Sequence, residues 1–221
     1  KGSNTSIILL ILSGELIFIL PYFLSRVFRP TFLKLFDLNN FELGSLFSVY
    51  GTVALFSYIF GGTLADRFEA RKLISYSLIL TALGGCVLAS YPSYLILQIL
   101  YGYWGFTSVF LFWGAMIKET RIWGGSQNQG QAFGFLDGGR GLIAALMGTI
   151  GVAIFSFFLN DNFLTANIIE RKYAFRNVIL FCSIIVAITG VMVSLFMKIK
   201  VDEVIIKTKE NKSLKDIISV F

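Results

Sequence analysis

Gly61-Gly62-Thr63-Leu64-Ala65-Asp66-Arg67-Phe68-Glu69-Ala70-Arg71-Lys72 is a short charged turn between two apolar runs, 43–65 before it and 72–91 after it. Each run is close to the twenty residues that a helix needs to cross about 30 Å of hydrocarbon. The turn between them holds what cannot stay in lipid. Gly62 is expected to let another helix approach closely, and Asp66 to end a helix beside Arg67, Arg71 and Lys72 at a membrane surface.

The same alternation continues along the chain in both directions. Spans are expected at roughly 6–25, 43–65, 72–91, 94–117, 132–158 and 177–197, joined by tight connections. The runs are continuously apolar and do not alternate, which favours helices over the short alternating strands of a membrane barrel. Composition agrees: 56% hydrophobic, 16% aromatic and only 14% charged residues are far from the balance of a water-soluble domain. No basic leader or small-residue cleavage site frames 6–25, so it is expected to be a span and not a signal peptide. Cys86 and Cys182 fall inside spans and imply neither a disulfide framework nor a metal site.

With the termini on one side, that side carries twelve Lys and Arg against six on the other. Both termini are therefore expected to be cytoplasmic. The margin comes from the tail, because the interior loops alone divide five against six. Residues 198–221 mix Lys, Glu and Asp with aliphatics, and Leu214, Ile217, Ile218 and Phe221 share one helical face, as in an amphipathic surface helix. An alternative is a basic tail attracted to anionic lipid.

The 61–72 turn resembles the G-x-L-A-D-R-x-G-R-K signature of the major facilitator superfamily, and lies between the second and third spans, where that family carries it. The resemblance covers essentially the whole chain as one half of a twelve-helix transporter: six transmembrane helices as two inverted three-helix repeats. It implies a conformational latch at Gly62, Asp66, Arg67, Arg71 and Lys72, with Asp66 helping to hold the outward-open state. Glu69 stands where the signature has Gly. Residues 198–221 would begin the central loop, the C-terminal six-helix half of the parent chain would be the main partner, and the isolated half is not expected to transport.

Three charges fall inside spans: Glu15 in the first, Asp137 and Arg140 in the fifth. Each would cost about 2.5–3.5 kcal/mol at a helix centre, so such groups pair or line water. Counted from the cytoplasmic ends, Glu15 and Arg140 lie at similar depth, roughly 12–14 Å in. Two arrangements are open. Asp137 and Arg140 could pair at i, i+3 and leave Glu15 to carry a proton, or Glu15 could pair with Arg140 across helices. A purely structural buried pair is a third. Arg140, with its planar fork, would suit a carboxylate or phosphate, which favours an anionic substrate.

The fourth span places Tyr94, Gln98, Tyr101, Gly105, Ser108 and Phe112 on one face, and Tyr22 lies two turns from Glu15 in the first. The resemblance implies that these two helices line a central cavity, so Tyr22, Gln98 and Tyr101 join Glu15, Asp137 and Arg140 as candidate contacts for substrate or ion. Gly130, Gly134, Gly138, Gly141 and Gly148 make the fifth span suited to close packing. It has no Pro, so the family's antiporter Gly-Pro motif is absent, and Gln98 occupies the place where many proton-coupled members have Arg.

Enzymatic chemistry finds no support: His is absent, and no phosphate-binding loop or dinucleotide frame is present. No cofactor or metal is expected. The net charge of +6 is explained by loops and tail, so nucleic acid is not required as a partner. The expected function is alternating-access transport of a small polar solute, with protons as candidate coupling ions, by a multi-pass protein of the plasma membrane, prokaryotic in origin. The alternative is a non-transporting six-helix scaffold or sensor.

Overall fold

The computed structural model describes residues 4–159 and 166–197. The tail helix expected at the C-terminus lies outside the described residues. Among the described residues, six helices are long and apolar enough to cross a membrane: α1 (Asn4–Val27), α2 (Asn40–Arg67), α3 (Ala70–Leu88), α4 (Tyr94–Gly124), α5 (Gln129–Phe158) and α6 (Ile168–Phe196). A short connecting helix, Arg29–Leu35, between α1 and α2 has no apolar period long enough to read from sequence. Helices α1, α3 and α5 run from what we call the Arg67 end to the Tyr94 end, and α2, α4 and α6 run back.

Local chemistry sets the helix ends. Asn39 accepts from the Glu42 amide at 2.9 Å while Glu42 accepts from the Asn39 amide at 2.8 Å, a capping box that starts α2. Asn167 and Glu170 repeat it for α6. That cap explains why α6 starts at Ile168 and not near 177: its first turns carry Glu170, Arg171, Lys172 and Arg176, which hydropathy reads as loop. Similarly, α4 runs past Lys118 and Arg121 until Gly125 turns the chain at φ +63°.

Two helices are locally widened to π geometry, Ile19–Phe23 in α1 and Phe106–Trp113 in α4. In α1 the cause is Pro21, which has no amide proton to continue the ladder. In α4 the segment is bracketed by Gly105 and Gly114. Each widening begins about three to four turns past its helix start.

Among the described residues, the helices pack α1 with α5, α2 with α4, α3 with α6, and α3 with α4 as α6 with α1. Exchanging the first three helices for the last three in order maps this set of pairs onto itself, and it carries the π segment of α1 onto that of α4. The fold is thus two inverted three-helix repeats. Helices α3 and α6 approach through glycines: a Cβ on Gly85 would lie 1.9 Å from Ser183 Oγ, and Ser75 Oγ donates to Gly190 O at 2.8 Å. Helices α3 and α4 share a polar seam, in which Ser77 Oγ donates to Thr107 O, Thr81 bonds Thr107, and Trp104 Nε1 donates to Thr81 O. The glycine stripe foreseen on α5 divides. Only Gly148 of that stripe packs, on Phe23, while Gly130, Gly134, Gly138 and Gly141 face open space, and the closest approach falls to Gly139, against Ile11, which the stripe did not include.

Candidate functional site

Glu15 on α1 and Asp137 and Arg140 on α5 come together. Arg140 Nε lies 3.6 Å from Glu15 Oε2 and Nη1 lies 3.4 Å from Asp137 Oδ1, so both ion pairs considered from the sequence are present and Glu15 is not left free by the Asp137 contact. The two contacts differ in setting. The Glu15 and Arg140 side chains are about one-fifth exposed, while Asp137 is 70% exposed on the open side. The Arg140 guanidinium also stands 5.8 Å from the Phe18 ring centre, a cation–π distance. Its stem crosses α1 over Gly14, where a Cβ would lie 3.0 Å from Arg140 Cδ.

Beyond Phe18 the wall is aromatic. Tyr22 stacks parallel on Phe47 of α2, with centroids 5.2 Å apart, and meets Tyr50 edge-on at 4.7 Å. Phe18 meets Trp113 of α4 edge-on at 6.2 Å. Tyr50 Oη and Ser108 Oγ are hydrogen-bonded at 2.5 Å, which fixes the Tyr50 ring under Tyr22.

Arg26 lies four residues beyond Tyr22, and the π segment Ile19–Phe23 separates it from Glu15. The Arg26 charge acts on both the Tyr22 hydroxyl and the Glu15 carboxyl. Arg26 is exposed and has no carboxylate partner among the described residues. Sequence reasoning counted it only as a loop charge; its i, i+4 spacing from Tyr22 was the available signal.

Tyr101 is fully buried, facing Ser25 and packing edge-on to Phe47 at 5.8 Å. The α4 stripe containing it is largely a packing seam against α2: Tyr94 bonds Ser45, Gly105 lies against Tyr50 O, and Ser108 bonds Tyr50. Gln98 is half-buried one turn along the same stripe. Of the candidate tyrosines Tyr22 and Tyr101, Tyr22 is the one that the Arg26 charge reaches.

At the Arg67 end the latch residues separate into two kinds. The close approach assigned from sequence to Gly62 belongs to Gly61. A Cβ on Gly61 would lie 3.1 Å from Phe110 O, and Gly114 of α4 meets Ala65 and Gly61 O, whereas a Cβ on Gly62 would meet no other described element within 4 Å. One residue's shift turns a helical position by about 100°, and sequence alone did not fix which glycine faced α4. Lys118 Nζ donates to Ala65 O at 3.0 Å, satisfying a carbonyl of the last turn of α2. Glu69 has φ −63° and ψ 122°, which any L-residue adopts, so the turn needs no Gly there. Its carboxylate instead gathers Lys72 at 3.3 Å and Arg71 at 3.9 Å. Asp66 and Arg67 remain exposed. Gly61→Ala is expected to destabilise the fold by about 1–2 kcal/mol and Gly62→Ala to leave it within about 0.5 kcal/mol, read by thermal unfolding of the full-length protein.

The sequence model of the Major Facilitator Superfamily matches residues 7–220. Among similar proteins, the inner membrane protein YqcE of Escherichia coli is 26% identical over 185 residues, covering 84% of this chain and 41% of its own length. The inner membrane protein YihN of Escherichia coli is 30% identical over 150 residues, covering 68% of this chain and 35% of its own. An uncharacterised protein of Mycoplasma pneumoniae is 30% identical over 148 residues, covering 62% and 31%. The chain thus spans about two fifths or less of the length of these relatives. No solved structure matches significantly. Six apolar helices paired as inverted repeats, the charged turn between α2 and α3, and a family match along nearly the whole sequence lead to one assignment: the chain belongs to the Major Facilitator Superfamily.

Proposed function

We infer that this chain is the N-terminal six-helix half of a secondary transporter of a prokaryotic plasma membrane, with both termini cytoplasmic, and that the intact protein moves a small organic anion by alternating access. One observation carries the anion reading. Arg26 is a cation without a carboxylate partner among the described residues, close enough for its charge to reach Tyr22 and Glu15, while Arg140 is already shared by two carboxylates.

An anionic group bound by Arg26 and the Tyr22 hydroxyl lies above the Glu15–Arg140 pair. To engage Arg140 as well, it must displace a carboxylate, and Glu15 is the more enclosed of the two. A displaced Glu15 without its cation is a proton acceptor, which links substrate entry to proton uptake. The closing and opening then fall to the second half of the parent protein, against the open faces of α2 and α5.

Uptake by the full-length protein in proteoliposomes, across sugar phosphates, organic acids, sugars and amino acids, tests the reading. Saturable uptake of an anion class supports it; saturable uptake of neutral solutes alone overturns the anion assignment. Absence of any uptake by folded protein would favour the scaffold or sensor. Glu15→Gln is expected to lose accumulation driven by a pH gradient, by about tenfold or more, and to keep downhill exchange of labelled substrate. Undiminished gradient-driven accumulation would remove Glu15 from the coupling.

A further inference from the structure

Lys172 and Arg176 pose a problem that the transport reading does not absorb. They lie at the Tyr94 end, which the expected topology places on the outer side, where the chain has reason to avoid Lys and Arg. Neither has a carboxylate partner among the described residues. Both are instead gathered on one aromatic ring. Lys172 Nζ is 5.2 Å and Arg176 Cζ 5.6 Å from the Tyr91 centroid. Tyr91 itself sits at φ +55°, an uncommon conformation for a non-glycine residue, with its hydroxyl donating to Lys172 O at 2.6 Å. Arg176 Nε donates to Ala89 O at 3.0 Å, at the C-terminus of α3.

Just below, α3 and α4 part to form a crevice of about 280 Å³. Leu83, Gly84 and Val87 line it from α3, and Ile96, Ile99 and Tyr103 from α4. Its one hydroxyl is turned away from any occupant, since Tyr103 Oη donates to Leu80 O at 2.7 Å. Ile99 is 66% exposed at the rim and Leu83 56%, so the crevice opens outward. From Ile96 to Tyr103 the slot runs roughly 10 Å along α4. Without a polar group to recognise a solute, and at hydrocarbon depth, it suits an alkyl chain. Tyr91 belongs to the 89–93 connection that joins α3 to α4 at the top of this crevice, so chain slot and cation pair share one end of the bundle.

We propose that the α3–α4 crevice and the Lys172–Tyr91–Arg176 cluster form one binding site for an anionic phospholipid, with an acyl chain between Leu83, Val87 and Ile99 and the phosphate at Lys172 and Arg176. The bound lipid supplies the missing counter-charge, and it does so on the side of the bundle away from Glu15 and Arg140. Arg176 keeps its hydrogen bond to Ala89 O through Nε while its terminal nitrogens meet the phosphate.

The test counts lipids retained by the full-length protein in native mass spectrometry, after titration with phosphatidylglycerol or with phosphatidylcholine of the same chains. Phosphatidylglycerol is expected to be preferred. Lys172→Gln, which removes a charge but no side-chain hydrogen bond, is expected to cut that preference about fivefold. Ile99→Trp, which fills the slot, is expected to lower retention of both lipids. Leu195→Trp on α6, 67% exposed at the other end, is the matched control and should change neither. An unchanged preference in Lys172→Gln, or equal effects of Ile99→Trp and Leu195→Trp, would mean annular lipid only and overturn the site.

Discussion

Arg26→Gln is expected to lower the kcat/KM of anion uptake by the full-length protein about 100-fold while leaving its thermal stability nearly unchanged. The size follows from the contact. A guanidinium holding an anion through charge-assisted bonds contributes about 1.5–3 kcal/mol per bond, and losing about 3 kcal/mol is roughly 100-fold. Stability is spared because Arg26 is exposed and has no carboxylate partner among the described residues whose charge would be stranded. Arg26→Lys keeps the charge but loses the planar fork, and about a tenfold loss is expected.

Arg140→Gln should differ in kind. It strands Glu15, four-fifths enclosed, and removes the cation–π contact with Phe18, so stability falls along with transport. The two arginines therefore separate recognition from coupling. Arg26→Gln with uptake of every anion within about twofold of the parent would sink the proposed role of Arg26.

The contrast between these arginines also marks where the sequence stopped being legible. Charges inside apolar runs announce themselves, because lipid makes them costly, and Glu15, Asp137 and Arg140 were found that way. Arg26 lies at the end of a run, where positive charge is ordinary, and only its i, i+4 spacing from Tyr22 distinguishes it. The six helices were legible for a similar reason: the bilayer demands long apolar runs, and the runs are there. Helix ends were less so. The Asn167–Glu170 cap and the charged first turns of α6 are local hydrogen-bond chemistry that a hydropathy average erases.

Facing was the hardest to read. A small residue signals a close approach somewhere but not its azimuth, which is why Gly61 and not Gly62 meets α4. The polar stripe of α4 was ambiguous in the same way. Tyr101 and Ser108 satisfy a period that serves a cavity wall and a packing seam equally well, and only the contacts with Phe47 and Tyr50 assign them to the seam.

That seam gives the second large effect, through two glycines one turn apart on α4. Gly105→Ala is expected to destabilise the protein by about 2 kcal/mol, and Gly102→Ala to stabilise it by up to about 1 kcal/mol. A Cβ at Gly105 would lie 2.6 Å from Tyr50 O and 3.3 Å from Val53 Cβ. The nearest atom is backbone, so relief requires moving a helix and not turning a side chain. At Gly102 the nearest atoms are Val49 Cγ1 at 3.5 Å and Val53 Cγ2 at 3.6 Å, ordinary contact distances, so the gain in helix propensity stands unopposed. The strain at Gly105 also reaches the site. Parting α2 from α4 there pulls Tyr50 from Ser108, and Tyr50 supports the Tyr22 ring. Gly105→Ala should therefore raise the KM for uptake as well as lower the unfolding midpoint, whereas Gly102→Ala should leave KM alone. If both substitutions shifted the midpoint in the same direction, helices α2 and α4 would not cross at Gly105, and the support of Tyr22 by Tyr50 would lose its basis.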